Sequence, residues 1–533
     1  MRPKPPDNVT SNQLRRFLAA VVLVFLLSAA SGLSTNWYVA TNGLDTNPGT
    51  SNSPFATIMR AQSAASSNDT VYLRGGTYYL DNSNLTATNS PWAIVNNITK
   101  GGISYIAYPD ELPVFDFSAV QPSGYRVTAF LVASSANKCV FKGFDVVGVQ
   151  VTIKAGEANN TQSECFRITG GSNNRFEQLR MHDGMGIGWY LTDGASNLVL
   201  NCDAYINRGL DSLSLGNVDG FGCHPAHTSG KGNIIRGCRA WFNSDDGYDC
   251  INAFAVVTFD HCWAFYNGYF TNFANSTGDG NGFKSGGYGV SGTAYPTPIP
   301  HHITEFCLAV SNRVNGFYAN HHLDGQVWYD NTAYRNNVNY NMLCNTNNTS
   351  GTNDVPGFNH VMKNNLGYSA RSAEVSNLGT SNDVTFNYFT LPVTVSSGDF
   401  VSLNTSLLTA PRQADGSLPY IDFARLTNTS DCIDAGTNLG FAFYPAAPDL
   451  GCFEFGPTNA PLPTLALSGT NLLFAANGWA NTTNYLLAST DLTLPITQWT
   501  CVGTNVSDLA GAAFFTNAIP PGVPQQFYRL GVP

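Results

Sequence analysis

One pattern recurs four times between residues 197 and 336. It reads Asn197-Leu-Val-Leu-Asn-Cys-Asp-Ala-Tyr-Ile-Asn207, Asn233-Ile-Ile-Arg-Gly-Cys-Arg-Ala-Trp-Phe-Asn243, Val257-Thr-Phe-Asp-His-Cys-Trp-Ala-Phe-Tyr-Asn267 and Val327-Trp-Tyr-Asp-Asn-Thr-Ala-Tyr-Arg-Asn336. Each unit has two short apolar runs around a small residue and ends in Asn. Cys202, Cys238 and Cys262 hold the same place in three units, and Glu305-Phe-Cys-Leu-Ala repeats it around Cys307. Their separations of 36, 24 and 45 residues fit a coil of about two dozen residues with loop insertions. Such a unit cannot bury its apolar face alone, so neighbours must stack. Two short strands per repeat fit a parallel β-helix better than a propeller. Successive coils then rise by one strand spacing, ~4.8 Å, and equivalent residues lie above one another. The closing asparagines are expected to form a ladder at one corner. The stacked cysteines are expected to be buried and reduced, since a free Cys packs as a small hydrophobe.

The flanks are different. Arg15 and Arg16 precede an apolar run over residues 17–27, and Ser28-Ala-Ala30 follows. That is the order of a secretory signal, and the run is short for a membrane span. Residues 1–30 are therefore read as a signal peptide, with a membrane anchor as the alternative; no other stretch is long and apolar enough to span. Asn36-Trp-Tyr-Val alternates like a strand, and residues 54–65 read as a short amphipathic helix with Ile58, Ala61 and Ala65 on one face. Strand, helix and strand make a capped solenoid start. The solenoid is expected over residues 36–455, a linker over 456–463 and a small C-terminal β module, possibly a sandwich, over 464–533. Trp479 and Trp499 are read as core residues of that module, with a glycan platform as the alternative.

Only 12% of the 533 residues are charged, roughly half the usual share, so the polar surface must come from Asn, Ser, Thr and Gly. That suits a turn-rich exported β protein. A net charge of -10 argues against nucleic acid but not against an acidic substrate, because a bound cation reverses the local field. There are twelve cysteines and no CxxC pair, so zinc has no support. Cys432 and Cys452 flank a Gly- and Pro-bearing loop and are the expected disulfide.

Chemistry concentrates around Asn243-Ser-Asp-Asp-Gly-Tyr-Asp249. Asp219 lies about one coil earlier, and Lys284 follows in Gly278-Asp-Gly-Asn-Gly-Phe-Lys284. In a solenoid one coil of separation is adjacency, so Asp219, Asp245, Asp246 and Asp249 can converge on one wall with Lys284 in reach. Four carboxylates without a nearby His or Cys favour calcium over zinc or copper. Asp279 is either a turn residue or a further calcium ligand. Lys284, bracketed by glycines, can serve as a base if its pKa falls toward neutrality. Arg208, Arg236 and Arg239 are candidates for substrate carboxylates or for structural ion pairs. The histidines show no metal spacing, and His301, His302, His321 and His322 read as loop or surface residues.

The segments Asn217-Val-Asp-Gly-Phe-Gly-Cys, 237–249, 278–284 and Asn331-Thr-Ala-Tyr-Arg-Asn resemble polysaccharide lyase family 9 in order and spacing together. The resemblance spans roughly residues 36–455. It implies a right-handed parallel β-helix, a secreted pectate lyase-type activity, calcium held by Asp219, Asp245, Asp246 and Asp249, and Lys284 as the catalytic base. His224 stands where the family pattern has a lysine, and Asn315-Gly-Phe-Tyr-Ala-Asn-His-His322 departs from Gly-Phe-Asp-Gln-Asn, so the exact polymer stays open.

The expected reaction is anionic β-elimination on a galacturonan-type acidic polysaccharide by a secreted monomer that leaves the membrane after signal cleavage. Two other readings stand beside it. A β-helix glycoside hydrolase would use two aspartates as acid and base and give Lys284 no essential part. A non-catalytic glycan-binding surface protein would use the aspartates only to hold a structural ion.

Overall fold

The computed structural model describes residues 34–153, 162–209, 217–288, 294–347, 353–441, 443, 446–456, 464–469, 471–477, 483–491, 499–508, 512–518 and 526–531. The predicted signal peptide and nearly all of the predicted linker lie outside these residues. Among the described residues no helix is long and apolar enough to cross a membrane.

Three long sheets of twelve, ten and eleven strands run along the solenoid, and neighbours within a sheet come from consecutive coils except Ala87–Asn89, which pairs antiparallel with Trp92–Ile98 at one edge of the third sheet. Pairing is parallel coil after coil; Leu198, Ile234, Thr258 and Ile303 stand in one row of the first sheet. This is the parallel β-helix expected from the repeats, right-handed as the family resemblance implies. The helix Ile58–Ala64 is the N-terminal cap. Thr57 begins it by accepting the Arg60 N–H at 3.1 Å, and Ile58 and Ala61 are buried beneath it.

Why these units form coils is visible at the corners. The residue before each repeated Cys position has positive φ: Asn201, Gly237, His261, Phe306 and Asp330. So does the residue before each closing Asn: Ile206, Phe242, Tyr266, Ser311 and Arg335. One left-handed residue turns the chain sharply from one sheet to the next, at roughly 1–2 kcal/mol for a non-glycine residue. Side-chain ladders offset that cost. Asn207, Asn243, Asn267, Asn312 and Asn336 are fully buried, and each amide bonds the next at 3.0–3.2 Å. At the other corner the Cys202 N–H donates to Cys238 Sγ at 3.3 Å, and the Cys262 N–H to Cys307 Sγ at 3.4 Å. The stacked cysteines are buried thiols, as expected.

Inside the coil, Phe221, Tyr248, Phe283, Phe317 and Tyr340 stack behind the third sheet with ring centroids 4.7–5.1 Å apart. Offset aromatic stacking of this kind adds about 0.5–1.5 kcal/mol per pair beyond burial. The column also fixes which residue of each short strand faces outward.

The parallel strands end at Asp383–Val384. The chain divides into two compact units, one holding residues 1–362, 367–384 and 416–418, the other holding 363–366, 385–415 and 419–533. Within the second unit, Thr464–Ser468, Asn471–Asn477 and Ala512–Ala518 form one antiparallel sheet, and Thr500–Val506, Thr483–Ser489 and Phe527–Gly531 another. Phe474, Leu486, Ala513 and Phe515 make their shared core. Trp499 is half-buried and outside that cluster, while Trp479 lies outside the described residues.

Two expectations are corrected. Cys432 carries a free buried thiol, so the Cys432–Cys452 disulfide is not formed. The backbone register sets Leu450 against Cys432, with the Leu450 N–H on the Cys432 carbonyl at 3.1 Å, and Cys452 falls two residues further on. His302 and His322, read as loop or surface residues, lie outside the named strands but not at the surface, being 1% and 0% exposed.

Candidate active site

The third sheet carries the acidic cluster. Five tripeptides lie on its successive coils: Gly188-Trp-Tyr190, Gly220-Phe-Gly222, Gly247-Tyr-Asp249, Gly282-Phe-Lys284 and Gly316-Phe-Tyr318. The aromatic residue points inward and the third residue outward. Glycine is needed for close approach between coils. A Cβ on Gly247 would meet the Gly282 carbonyl oxygen at 2.7 Å, and one on Gly282 the Gly316 oxygen at 2.6 Å. The outward column therefore runs Tyr190, Gly222, Asp249, Lys284, Tyr318.

The residue before each of the last four glycines completes the arrangement: Asp219, Asp246, Asn281 and Asn315. Asn281 Oδ1 accepts from Asn315 Nδ2 at 2.7 Å, and Asp246 Oδ1 accepts both the Asn281 N–H at 2.6 Å and its Nδ2 at 2.8 Å. Asp219 Oδ1 accepts the Asp246 N–H at 3.1 Å. Two positions of an asparagine ladder are thus aspartates. One oxygen of each is tied to the next coil, which leaves the other for a ligand. Asp249 is held likewise, its Oδ1 on the Ile251 N–H at 2.7 Å.

Asp219, Asp246 and Asp249 each offer an oxygen within 4.8 Å of the others, and Asp245, Asp246 and Asp279 form a second such group. Lys284 Nζ reaches Asp279 Oδ2 at 3.0 Å, Asp246 Oδ2 at 3.2 Å and Asp249 Oδ2 at 3.5 Å. All four predicted ligands and the predicted base are buried together on one wall. Asp279, left open between two roles by the sequence, lies in contact with Lys284.

The electrostatics are those of a site built for a cation. Burial, and then the neighbouring carboxylates, push Asp219 and Asp245 well above the ordinary aspartate value. Asp246 is raised to about 7, chiefly by burial and against the pull of Lys284. Burial disfavours the charge on Lys284, but Asp249, Asp246, Asp245 and Asp279 outweigh it and hold the ammonium well above the usual lysine value. Asp246 Oδ2 is buried and takes no hydrogen bond among the described residues. An all-oxygen donor set with converging carboxylates, one of whose oxygens has the Lys284 ammonium at 3.2 Å but takes no hydrogen bond among the described residues, fits a hard divalent cation such as calcium.

The predicted arginines fall elsewhere. Arg236 lies on the first sheet and pairs with Asp260 at 2.5 Å. Arg239 lies on the second and grips Asp203 through two 2.9 Å bonds. Neither stands on the sheet of Lys284, so both are structural pairs. Arg208 lies over the Phe270 ring at 4.2 Å. The sequence reading missed Tyr190, Asn281 and Tyr318 as neighbours of the site; the Gly-aromatic-X tripeptide recurring once per coil is the signal that marks two of them.

Known proteins share this architecture. Residues 37–365 match the family described as "Pel9A-like, right handed beta helix region". Pectate lyase L of Dickeya chrysanthemi is 35% identical over 434 residues, covering 80% of this chain and 92% of its own length. Pectate lyase PEL9 of Emericella nidulans is 30% identical, covering 74% and 93%. Among solved structures, a rhamnogalacturonan lyase is 42% identical with a TM-score of 0.70, covering 74% of this chain and 97% of that one. Pectate lyase Pel9A is 31% identical with a TM-score of 0.63, covering 80% and 98%. The chain therefore belongs to the Pel9A-like, pectate lyase-related β-helix family and is a polysaccharide lyase.

Proposed function

We propose that the chain is an exported, calcium-dependent lyase that cleaves pectate-type uronans by β-elimination, with Lys284 as general base. The observation that carries this reading is the pairing of Lys284 with Asp249 on adjacent outward-facing strands, within 3.5 Å of a convergent set of carboxylates. Bound calcium would neutralise the substrate's C6 carboxylate and so acidify the C5 proton. Asp219, Asp245, Asp246 and Asp249 would hold the ion. Neutral Lys284 accepts the C5 proton, and the C4–O bond breaks to leave a 4,5-unsaturated end. The lysine must lose its own proton first. The carboxylates keep that proton in place against the effect of burial, so committing them to a cation frees the amine.

The names of the relatives support a pectic substrate, and the 42% identity to a rhamnogalacturonan lyase favours a second reading of the polymer, with rhamnogalacturonan in place of homogalacturonan. The test is incubation of the purified protein with polygalacturonate and, separately, rhamnogalacturonan, each with calcium or with a chelator. Calcium-dependent absorbance from unsaturated product on one polymer supports the reading and selects the substrate. Chain shortening without that absorbance refutes elimination.

A further inference from the structure

The outward face that carries Lys284 continues along the sheet into a second cavity. Lys284 pairs with Asp249, Asp249 with Gly222, Gly222 with Tyr190, and Tyr190 with Arg167, which in turn pairs with Leu131. Four strand steps separate Lys284 from Arg167, about 19 Å at ~4.8 Å per step. There Trp92, Ile94, Leu131, Thr128 and Arg167 line a cavity of about 260 Å³.

The charge in this cavity is unbalanced. Glu164 is wholly buried, and its Oε1 lies 2.7 Å from both Arg126 Nη2 and Arg167 Nη1. Its Oε2 accepts the Thr128 hydroxyl at 2.9 Å. One carboxylate thus serves two guanidinium groups, leaving one positive charge in excess. Arg126 is buried, with its Nε on the Gln162 carbonyl. Arg167 is the more open of the two, its side chain 17% exposed, and it lies 5.1 Å from the Trp92 ring centroid and 5.5 Å from that of Tyr190. A chain with net charge -10 has here a cationic, half-apolar hollow in register with its acidic site. A structural network needed only one arginine to neutralise Glu164.

We propose that this cavity is a distal subsite for a uronate unit of the same polymer chain engaged at Lys284. Arg167 binds the carboxylate, and the wall of Trp92, Ile94 and Leu131 packs against the apolar face of the sugar. The assignment rests on the substrate reading above.

Its test is calorimetric binding in the full chain carrying Lys284→Ala, so that turnover and the role of the lysine do not enter. The probes are digalacturonate and an oligogalacturonide long enough to span about 19 Å. The long probe should bind more tightly than the short one, and Arg167→Ala should erase about tenfold of that advantage. Leu131→Asp, at a half-buried position, sets a carboxylate at the mouth and should do the same if Arg167→Ala does not fold. An unchanged ratio of long to short affinity in a folded variant overturns the subsite. Failure of the Lys284→Ala chain to bind either probe overturns the substrate reading instead.

Discussion

Asp249 and Lys284 stand opposite each other on adjacent parallel strands, with Lys284 Nζ 3.5 Å from Asp249 Oδ2. The pairing puts the proposed base one strand step from a proposed metal ligand, on the same face, without any loop to position it. Lys284→Ala should therefore lower elimination by about 10²–10⁴-fold. Calcium affinity should hold or rise, because a competing cation leaves the carboxylates. Lys284→Arg should be equally inactive, since guanidinium stays protonated. Absorbance of unsaturated product and calorimetric calcium titration check both halves; an active Lys284→Ala protein removes the lysine from the reaction.

Calcium should also stabilise the fold. Four buried carboxylates have only the single charge of Lys284 beside them to offset their mutual repulsion, and a ligand at a hundredfold excess over its Kd adds about 2.7 kcal/mol. The thermal midpoint should rise with calcium and fall back on chelation. Asp246→Asn should abolish the rise. It keeps an acceptor for Asn281 yet loses the charged oxygen that faces the site. Scanning calorimetry with and without the ion decides the matter; a full calcium response in Asp246→Asn would place the ion elsewhere.

The acidic site was legible because stacking converts a spacing of about one coil into contact. Asp219 and Asp246 hold equivalent places before Phe221 and Tyr248, and the repeat alone brings them together. Arg236 and Arg239 stayed open between substrate contacts and structural pairs for the complementary reason. Three residues apart across a corner, they belong to different sheets, and neither belongs to the sheet of Lys284. The corners themselves were not legible. Ile206, Phe242 and Phe306 adopt left-handed backbone conformations that their side chains disfavour, and only the ladders around them account for it. The burial of His302 and His322, read as loop or surface residues, was not legible because a His-His pair carries no sign of the coil position it occupies.

The asparagine ladder should be stiff and costly to break. Asn267 is fully buried; its amide donates to the Ala240 carbonyl and to Asn312 Oδ1, both at 3.0 Å, and its oxygen accepts from Asn243 Nδ2 at 3.1 Å. Asn267→Ala strands several buried polar groups at about 1–3 kcal/mol each. The expected loss is at least about 3 kcal/mol, against under about 0.5 for an ordinary surface change. Urea midpoints measure it, and a loss near that of a surface substitution would deny the ladder its role.

Stability should fall as the pH drops through the range in which buried histidines, His322 and His360 among them, take up protons. His322 Nδ1 accepts the Gly287 N–H at 3.0 Å and its Nε2–H donates to the Pro300 carbonyl at 2.9 Å. His360 Nδ1 accepts the Gln326 N–H at 3.0 Å. Each ring needs one bare nitrogen and is therefore neutral. Burial, as the leading cause, lowers both to about 4 from an ordinary value of 6.5. Because the folded value is the lower one, the unfolded chain takes up the proton first. The contribution is whole above pH 6.5, declines as the pH falls, and is gone below about 4. Each ring accounts for about 3 kcal/mol across that window. Asn382 already plays the part of His360 one coil on, its Oδ1 accepting the His360 N–H at 2.8 Å. His360→Asn should thus keep the backbone bond and remove that ring's share of the decline. Denaturation midpoints between pH 7 and 4 test this, and a slope unchanged in the His322→Asn, His360→Asn double variant would assign it to other groups.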